Sequence, residues 1–251
     1  MTTLKILGAG PVKRGVSRLA AEFEKSSGHK VDVEFAGAPG VRDRVLAGEA
    51  VDVAVVPQAA MEEFEKLGKV VAGTSALMGR SRMGIVVRKG AAQPDISDTE
   101  AFKRAMTGAE AIVCNVASSG VYLVKLLEKL GIGDVTNDKV LKLPDTVKVM
   151  EHVAGSRART IGVGQLAEIS ELVEKGLAIA LVAPLPDAIQ NVTAYNAGVT
   201  AASREPAAAR ALARSWRRPK PSRYLPRRAS IDRWRSHPNR RRPTWHESAR
   251  F

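Results

Sequence analysis

Apolar and polar positions along the first third of the chain switch between two periods. Leu4-Lys5-Ile6-Leu7 is a short apolar strand ending at Gly8-Ala9-Gly10-Pro11. Val12, Val16, Leu19, Ala20 and Phe23 then recur at helical spacing as one stripe, and Gly28 stops that helix. Val31 to Phe35 alternates as a strand, Ala36 to Gly40 turns into a helix ending near Gly48, and Val51 to Val56 is a third strand. Met61, Phe64 and Leu67 mark the next helix. Strand followed by helix, three times over, predicts a parallel sheet covered by helices.

A new section opens at Met83 to Arg88, a strand leading away from this first group. Asp98 is placed to cap a helix through Met106, and Ala111 to Val116 is a strand. Ala117-Ser118-Ser119-Gly120 leads into a helix with Leu123, Leu126, Leu127 and Leu130 on one face. A helix over Val147 to Val153, a strand over Thr160 to Val163 and a helix over Leu166 to Glu174 follow. Leu177 to Val182 reads as a strand returning to the first group, Val192 to Ala201 as another strand, and Pro206 to Arg214 as a last helix. The predicted class is therefore α/β with two lobes, each a mainly parallel sheet flanked by helices. Lobe 1 takes residues 1–82 plus 184–214, lobe 2 takes 83–183, and hinge strands lie near 83–88 and 177–183. Residues 215–251 form a basic, Pro- and Arg-rich tail outside that pattern.

Composition changes this picture in one respect. The 251 residues, 45% hydrophobic, suffice for two cores. The net charge of +13 suggests a nucleic-acid partner until its distribution is read. From Ser215 onward there are 12 Lys or Arg against 2 acids, whereas the preceding residues hold 27 against 24. The body is thus nearly neutral, and no nucleic-acid partner is expected of it. Cys114 stands alone in Ala111-Ile112-Val113-Cys114 and reads as a buried strand residue. No apolar run approaches the ~20 residues of a membrane span, so no membrane insertion is expected. The chain enters a strand at once, which leaves no room for a secretory segment and as written points to the cytoplasm.

Three turns share one form, in which a strand ends and a small-residue loop opens a helix. They are Gly8 to Pro11, Ala36 to Gly40 and Ala117 to Gly120. Free N–H groups and the helix dipole favour an anion there, and small side chains let it approach the backbone. In open α/β sheets ligands lie beyond the carboxyl ends of the strands, where such loops sit. Each turn read singly is equally an ordinary connection; together they point to a ligand cleft. No cofactor is expected. Lys13 stands where a dinucleotide fingerprint needs its third glycine, no Gly-Lys-Ser or Gly-Lys-Thr occurs, and no Gly-x-Ser-x-Gly elbow exists. The four histidines lack metal-ligand spacing, so no metal site is expected.

Several stretches resemble a known family. Leu19-Ala20-Ala21-Glu22-Phe23-Glu24-Lys25, Gly28-His29-Lys30-Val31 and Ala47-Gly48-Glu49-Ala50-Val51-Asp52-Val53 resemble the opening of molybdate-type periplasmic binding proteins of ABC importers. Val87 to Ser97, Ala117 to Tyr122, Pro184-Leu185-Pro186 and Tyr195 to Val199 look closest to the branch that includes aconitate isomerase. The resemblance covers roughly residues 4 to 214. It implies a type II periplasmic-binding-protein fold, a periplasmic location, a monomer, an ABC permease as partner and a small anionic ligand. That ligand is an oxyanion such as molybdate or a small organic carboxylate. Carried over by position, it would contact Ala9, Gly10, Ala38, Pro39, Ser118 and Ser119, with Tyr122 nearby and Gln165 retained from a glutamine pair. The family usually offers hydroxyls in the first two loops, where this chain has Gly, Ala and Pro, so a larger organic anion suits it better than molybdate.

Binding without chemistry is the preferred function, and an aconitate-isomerase-like enzyme is the alternative. The enzyme needs a base to move a proton along an allylic carboxylate, and Tyr122, His152 and Glu168 are equal candidates. The tail has its own explanation. Ser215-Trp216-Arg217-Arg218-Pro219 onward is unsuited to a helix because of its prolines. Permitted codons for Ser215 to Pro226, read one base earlier, spell Phe-Leu-Ala-Ser-Pro-Glu-Ala-Val-Ala-Val-Phe-Ala, an amphipathic ending of the kind the family carries. A shifted reading frame is therefore expected beyond Arg214, with a disordered tail.

Overall fold

The computed structural model describes residues 1–157 and 159–216. It begins with β1 (Thr3–Ala9), a single 3-10 turn and α1 (Lys13–Ser27), which stops at Gly28 in the left-handed region (φ 74°). β2 (Lys30–Ala36), α2 (Ala38–Leu46), β3 (Val53–Pro57) and α3 (Gln58–Lys66) complete the first strand–helix series. β1 pairs in parallel with β2 and β3. Its last four residues are all buried because helices cover both faces, whereas edge strand β2 alternates, with Lys30, Asp32 and Glu34 in solvent.

β4 (Ala76–Arg88) is a 13-residue strand, longer than the stretch expected from Met83. Gly79, Arg80 and Arg82 hide its first half from a propensity reading, yet Ala76 to Arg82 pairs antiparallel with β9 (Val192–Val199). From Met83 the same strand pairs with β7 (Thr160–Gln165), and from Gly84 also with β8 (Ile179–Pro184). β5 (Ala111–Asn115) lies parallel to β7 and to β6 (Val140–Leu143), a short exposed strand with no apolar alternation to announce it. The remaining helices are α4 (Thr99–Gly108), α5 (Ser118–Lys129), α6 (Gly133–Thr136), α7 (Thr146–Gly155), α8 (Leu166–Glu174) and α9 (Pro206–Trp216).

The strand order is β2-β1-β3-β9-β4-β7-β5-β6, with β8 on the far part of β4. Two separate sheets were the expectation; hydrogen bonding is instead continuous, because β4 is long enough to serve both strand groups and changes partner between Arg82 and Met83. Cores lie on both faces of each group. One holds Leu4, Ile6, Val16, Phe23 and Leu212, another Leu7, Val41, Val56 and Phe64. The second group has one core around Phe102, Ile112 and Leu123 and one around Val86, Val149 and Ile169. Leu185 and Ile189 pack into the core with Phe102, although residues from 184 were expected with the first group. α9 continues through Trp216, two residues past the expected break, with Leu212 and Ala209 buried on the first core. The expectation of an out-of-frame, disordered tail from Arg217 onward lies outside the described residues.

Candidate functional site

Five helix-opening loops converge on one cleft with a cavity volume of about 240 Å³. Two come from the first strand group. Gly10 and Pro11 follow β1, and Gly37 with Ala38 open α2. The other three open α5, α7 and α8, supplying Ser118 and Ser119, Thr146, and Gln165 with Glu168. Tyr195 arrives on β9. Gly10 lets the Glu168 carboxylate lie against the backbone, since a Cβ there would force that carboxylate to shift.

Asn115, at the end of β5, organises the α5 loop. Its Oδ1 accepts from the backbone N–H of Ala117 (3.0 Å) and Gly120 (3.3 Å) and from the Ser119 hydroxyl (3.1 Å). A Cβ on Gly120 would run into the Asn115 carbonyl, so only glycine lets the helix start this close to the strand. Asn115 Nδ2 donates to Thr146 Oγ1 at 3.1 Å, and Thr146 Oγ1 donates to Glu168 Oε2 at 2.7 Å. The Ser118 and Ser119 amides open α5 and have no carbonyl a turn earlier to bond, which leaves them for a ligand.

Charge in the cleft is nearly cancelled internally. Glu171 takes Lys175 at 2.6 Å and Lys13 at 3.5 Å, which holds its carboxyl below the usual range. Burial pushes Glu168 up to about 7, against the Thr146 hydrogen bond and with help from Asp145 and Glu171. Burial, and then Glu168, also push the Tyr195 phenol up, so it stays a neutral donor. Gln165 is 2% exposed; its Nε2 donates to Thr193 Oγ1 at 3.1 Å while its Oε1 has no partner among the described residues. The cleft can thus receive an anion on neutral donors, and Glu168 can give or take a proton near neutral pH.

Of the residues singled out from the sequence, Gly10, Ala38, Ser118, Ser119 and Gln165 line the cleft. Ala9, Pro39 and Tyr122 do not. Ala9 is fully buried as the last residue of β1, and Pro39 is a partly buried first-turn residue of α2. Tyr122 is one turn into α5, where its hydroxyl donates to the Ile189 carbonyl at 3.0 Å and its ring joins the core. Among the three candidate bases only Glu168 reaches the cleft, since His152 is exposed on α7. Asn115, Thr146 and Tyr195 were missed. A polar residue closing an apolar strand before Ala-Ser-Ser-Gly is a signal that could have found Asn115, and Asp145-Thr146 has the form of a helix cap; Tyr195 has no local signal.

Residues 4–220 match the family described as bacterial extracellular solute-binding protein. Aconitate isomerase of a Pseudomonas species is 29% identical over 218 residues, which is 84% of this chain and 81% of that protein. Among solved structures, the periplasmic molybdate-binding protein of Azotobacter vinelandii superposes with a TM-score of 0.66 at 19% identity, covering 86% of this chain and 93% of that one. The tungstate ABC transporter structure from Geobacter sulfurreducens gives 0.66 at 17% identity, covering 86% and 94%. These likenesses show the two-lobed α/β fold.

Proposed function

The chain belongs to the bacterial extracellular solute-binding protein family, and on that premise we propose that it captures a small organic anion in the cleft for the permease of an ABC importer. The observation that carries this reading is the convergence of helix-opening loops from both strand groups on one cavity whose two lysines share Glu171 as ion-pair partner. An anion held by backbone N–H groups, hydroxyls and amides keeps its binding specific without the drag of a full counter-charge. The cavity, with small Gly10, Gly37 and Ala38 on one wall, has room for a carboxylate carrying a carbon skeleton. The proposal includes a monomer working in the periplasm. It also includes lobes formed by residues 1–82 with 192–216 and by residues 83–191, turning about the partner change in β4 and the segment between β8 and β9.

A second reading is favoured by one observation. Glu168 and Tyr195 face the same cavity, and a carboxyl that ionises at about 7 can remove and return a proton on an allylic carboxylate. This is the chemistry expected of a protein similar to aconitate isomerase. One experiment serves both readings. Thermal-shift screening of molybdate, sulfate, nucleotides and di- and tricarboxylates should show stabilisation by carboxylates, growing as RT ln(1 + [L]/Kd). Stabilisation by nucleotides alone would overturn the receptor reading. The same protein mixed with cis-aconitate and followed by absorbance should leave it unchanged; steady formation of the trans isomer would establish the enzyme instead.

A further inference from the structure

We infer that Glu168 receives the ligand as a neutral carboxylic acid, donating its own proton from Oε1 to an anionic oxygen, so that ligand and proton enter the cleft together. This rests on the cleft being the anion site. The hydrogen bonds leading to Glu168 start from groups that can act in one way only. The Ala117 and Gly120 backbone N–H groups can only donate, so the Asn115 atom facing them is Oδ1. Asn115 Nδ2 therefore faces Thr146 Oγ1 and donates to it. Thr146, with one lone pair taken by that donation, gives its hydroxyl proton to Glu168 Oε2 at 2.7 Å. Oε2 is thus an acceptor, and a proton on this carboxyl belongs on Oε1. That oxygen lies against Gly10, where a Cβ would collide with it, on the wall that the first strand group presents to the cavity.

The surroundings favour the protonated form. Asp145 at the start of α7 and Glu171 one turn along α8 both oppose a charge on Glu168, and Tyr195 on β9 is neutral. Lys13 on α1 and Lys175, just past the end of α8, are held by Glu171 rather than by Glu168. An arriving anion adds a further negative charge beside the carboxyl, so ligand and ionised Glu168 exclude each other. A ligand that is fully ionised in solution then draws one proton from the buffer when it binds above neutral pH.

The test is calorimetric titration at about pH 8.5 with tricarballylate, succinate and molybdate, each in two buffers of different ionisation enthalpy. The inference expects uptake of close to one proton for a carboxylate, and affinity falling about tenfold per pH unit above about 7. Glu168→Gln, which presents an N–H in place of the acid, should bind with neither uptake nor slope, and at about pH 8.5 at least as tightly as the unsubstituted protein. Carboxylate binding without proton uptake in the unsubstituted protein would overturn this inference and leave the anion site standing. An affinity that rises with pH would do the same. Failure of all three anions to bind would overturn the anion site itself, and this inference with it. The proton count on the unsubstituted protein decides the matter even if the variant does not fold.

Discussion

A single carboxyl shows how position rather than residue type sets chemistry here. Glu168 and Glu171 are one turn apart on α8, yet their carboxyls move in opposite directions, because Glu171 reaches Lys175 and Lys13 while Glu168 turns into the cleft wall. With Glu168 at about 7 in the fold and 4.5 as an ordinary glutamate, the folded chain holds a proton between those values that the unfolded chain has lost. Its contribution to stability is therefore complete below about 4.5 and is lost as pH rises through about 7, by at most about 3 kcal/mol. Glu168→Gln cannot ionise and should flatten that decline. Urea midpoints of the ligand-free protein at about pH 5 and pH 8 measure it; an unchanged pH dependence would place the decline on another group.

At the scale of elements, the cleft depends on where helices begin. α4 and α7 carry a local cap, with Asp98 Oδ1 accepting from Ala101 N at 2.7 Å and Asp145 Oδ1 from Lys148 N at 2.8 Å. α5 has no such cap of its own and borrows one from β5, through the Asn115 side chain. Asn115→Ala removes the acceptor of two backbone donors and the Ser119 hydroxyl, and takes from Thr146 the donor that turns its proton to Glu168. The expected loss is about 2–3 kcal/mol of stability. Anion affinity should fall as well, because the Ser118 and Ser119 amides lose their fixed direction. Chemical denaturation together with calorimetry of the variant checks both. A stable variant with full affinity would show that the loop holds its shape without Asn115.

For the molecule as a whole, the cleft lining among the described residues runs from Gly10 to Tyr195, and α9 closes the first core with Ala209, Leu212 and Ala213 before Trp216. A chain ended after Trp216 keeps each of these cleft residues and the first core, and is expected to bind an anion with affinity changed by less than about twofold. Calorimetry on the shortened protein measures this, and a loss of binding would make residues 217–251 part of the receptor. β4 has the opposite standing. It is the one strand pairing with both groups among the described residues, and it changes partner between Arg82 and Met83.

Much of this was legible from residues in order. The 3.6-residue stripe of Val16, Ala20 and Phe23, the buried run of β3, the cap at Asp98 and the stop at Gly28 are local features, set by side chains within a few positions of one another. The loop residues Gly10, Ala38, Ser118 and Ser119 were legible for the same reason, since a strand's end and a helix's start can be read from neighbours. The first half of β4 was not, because Arg80 and Arg82 belong in a strand only once β9 is beside them. Tyr122, expected near the ligand, does not line the cleft, because helical phase, not distance from the loop, decides which side of α5 it faces. Above all, no neighbour in sequence tells Glu168 that it will meet Gly10, Thr146 and Tyr195, groups drawn from separate elements by packing. Sequence alone determined the elements and their turns, because those depend on short-range sterics and apolar period. Tertiary structure decided the chemistry of the cleft, because a carboxyl's ionisation depends on the water and charges that distant segments remove or supply.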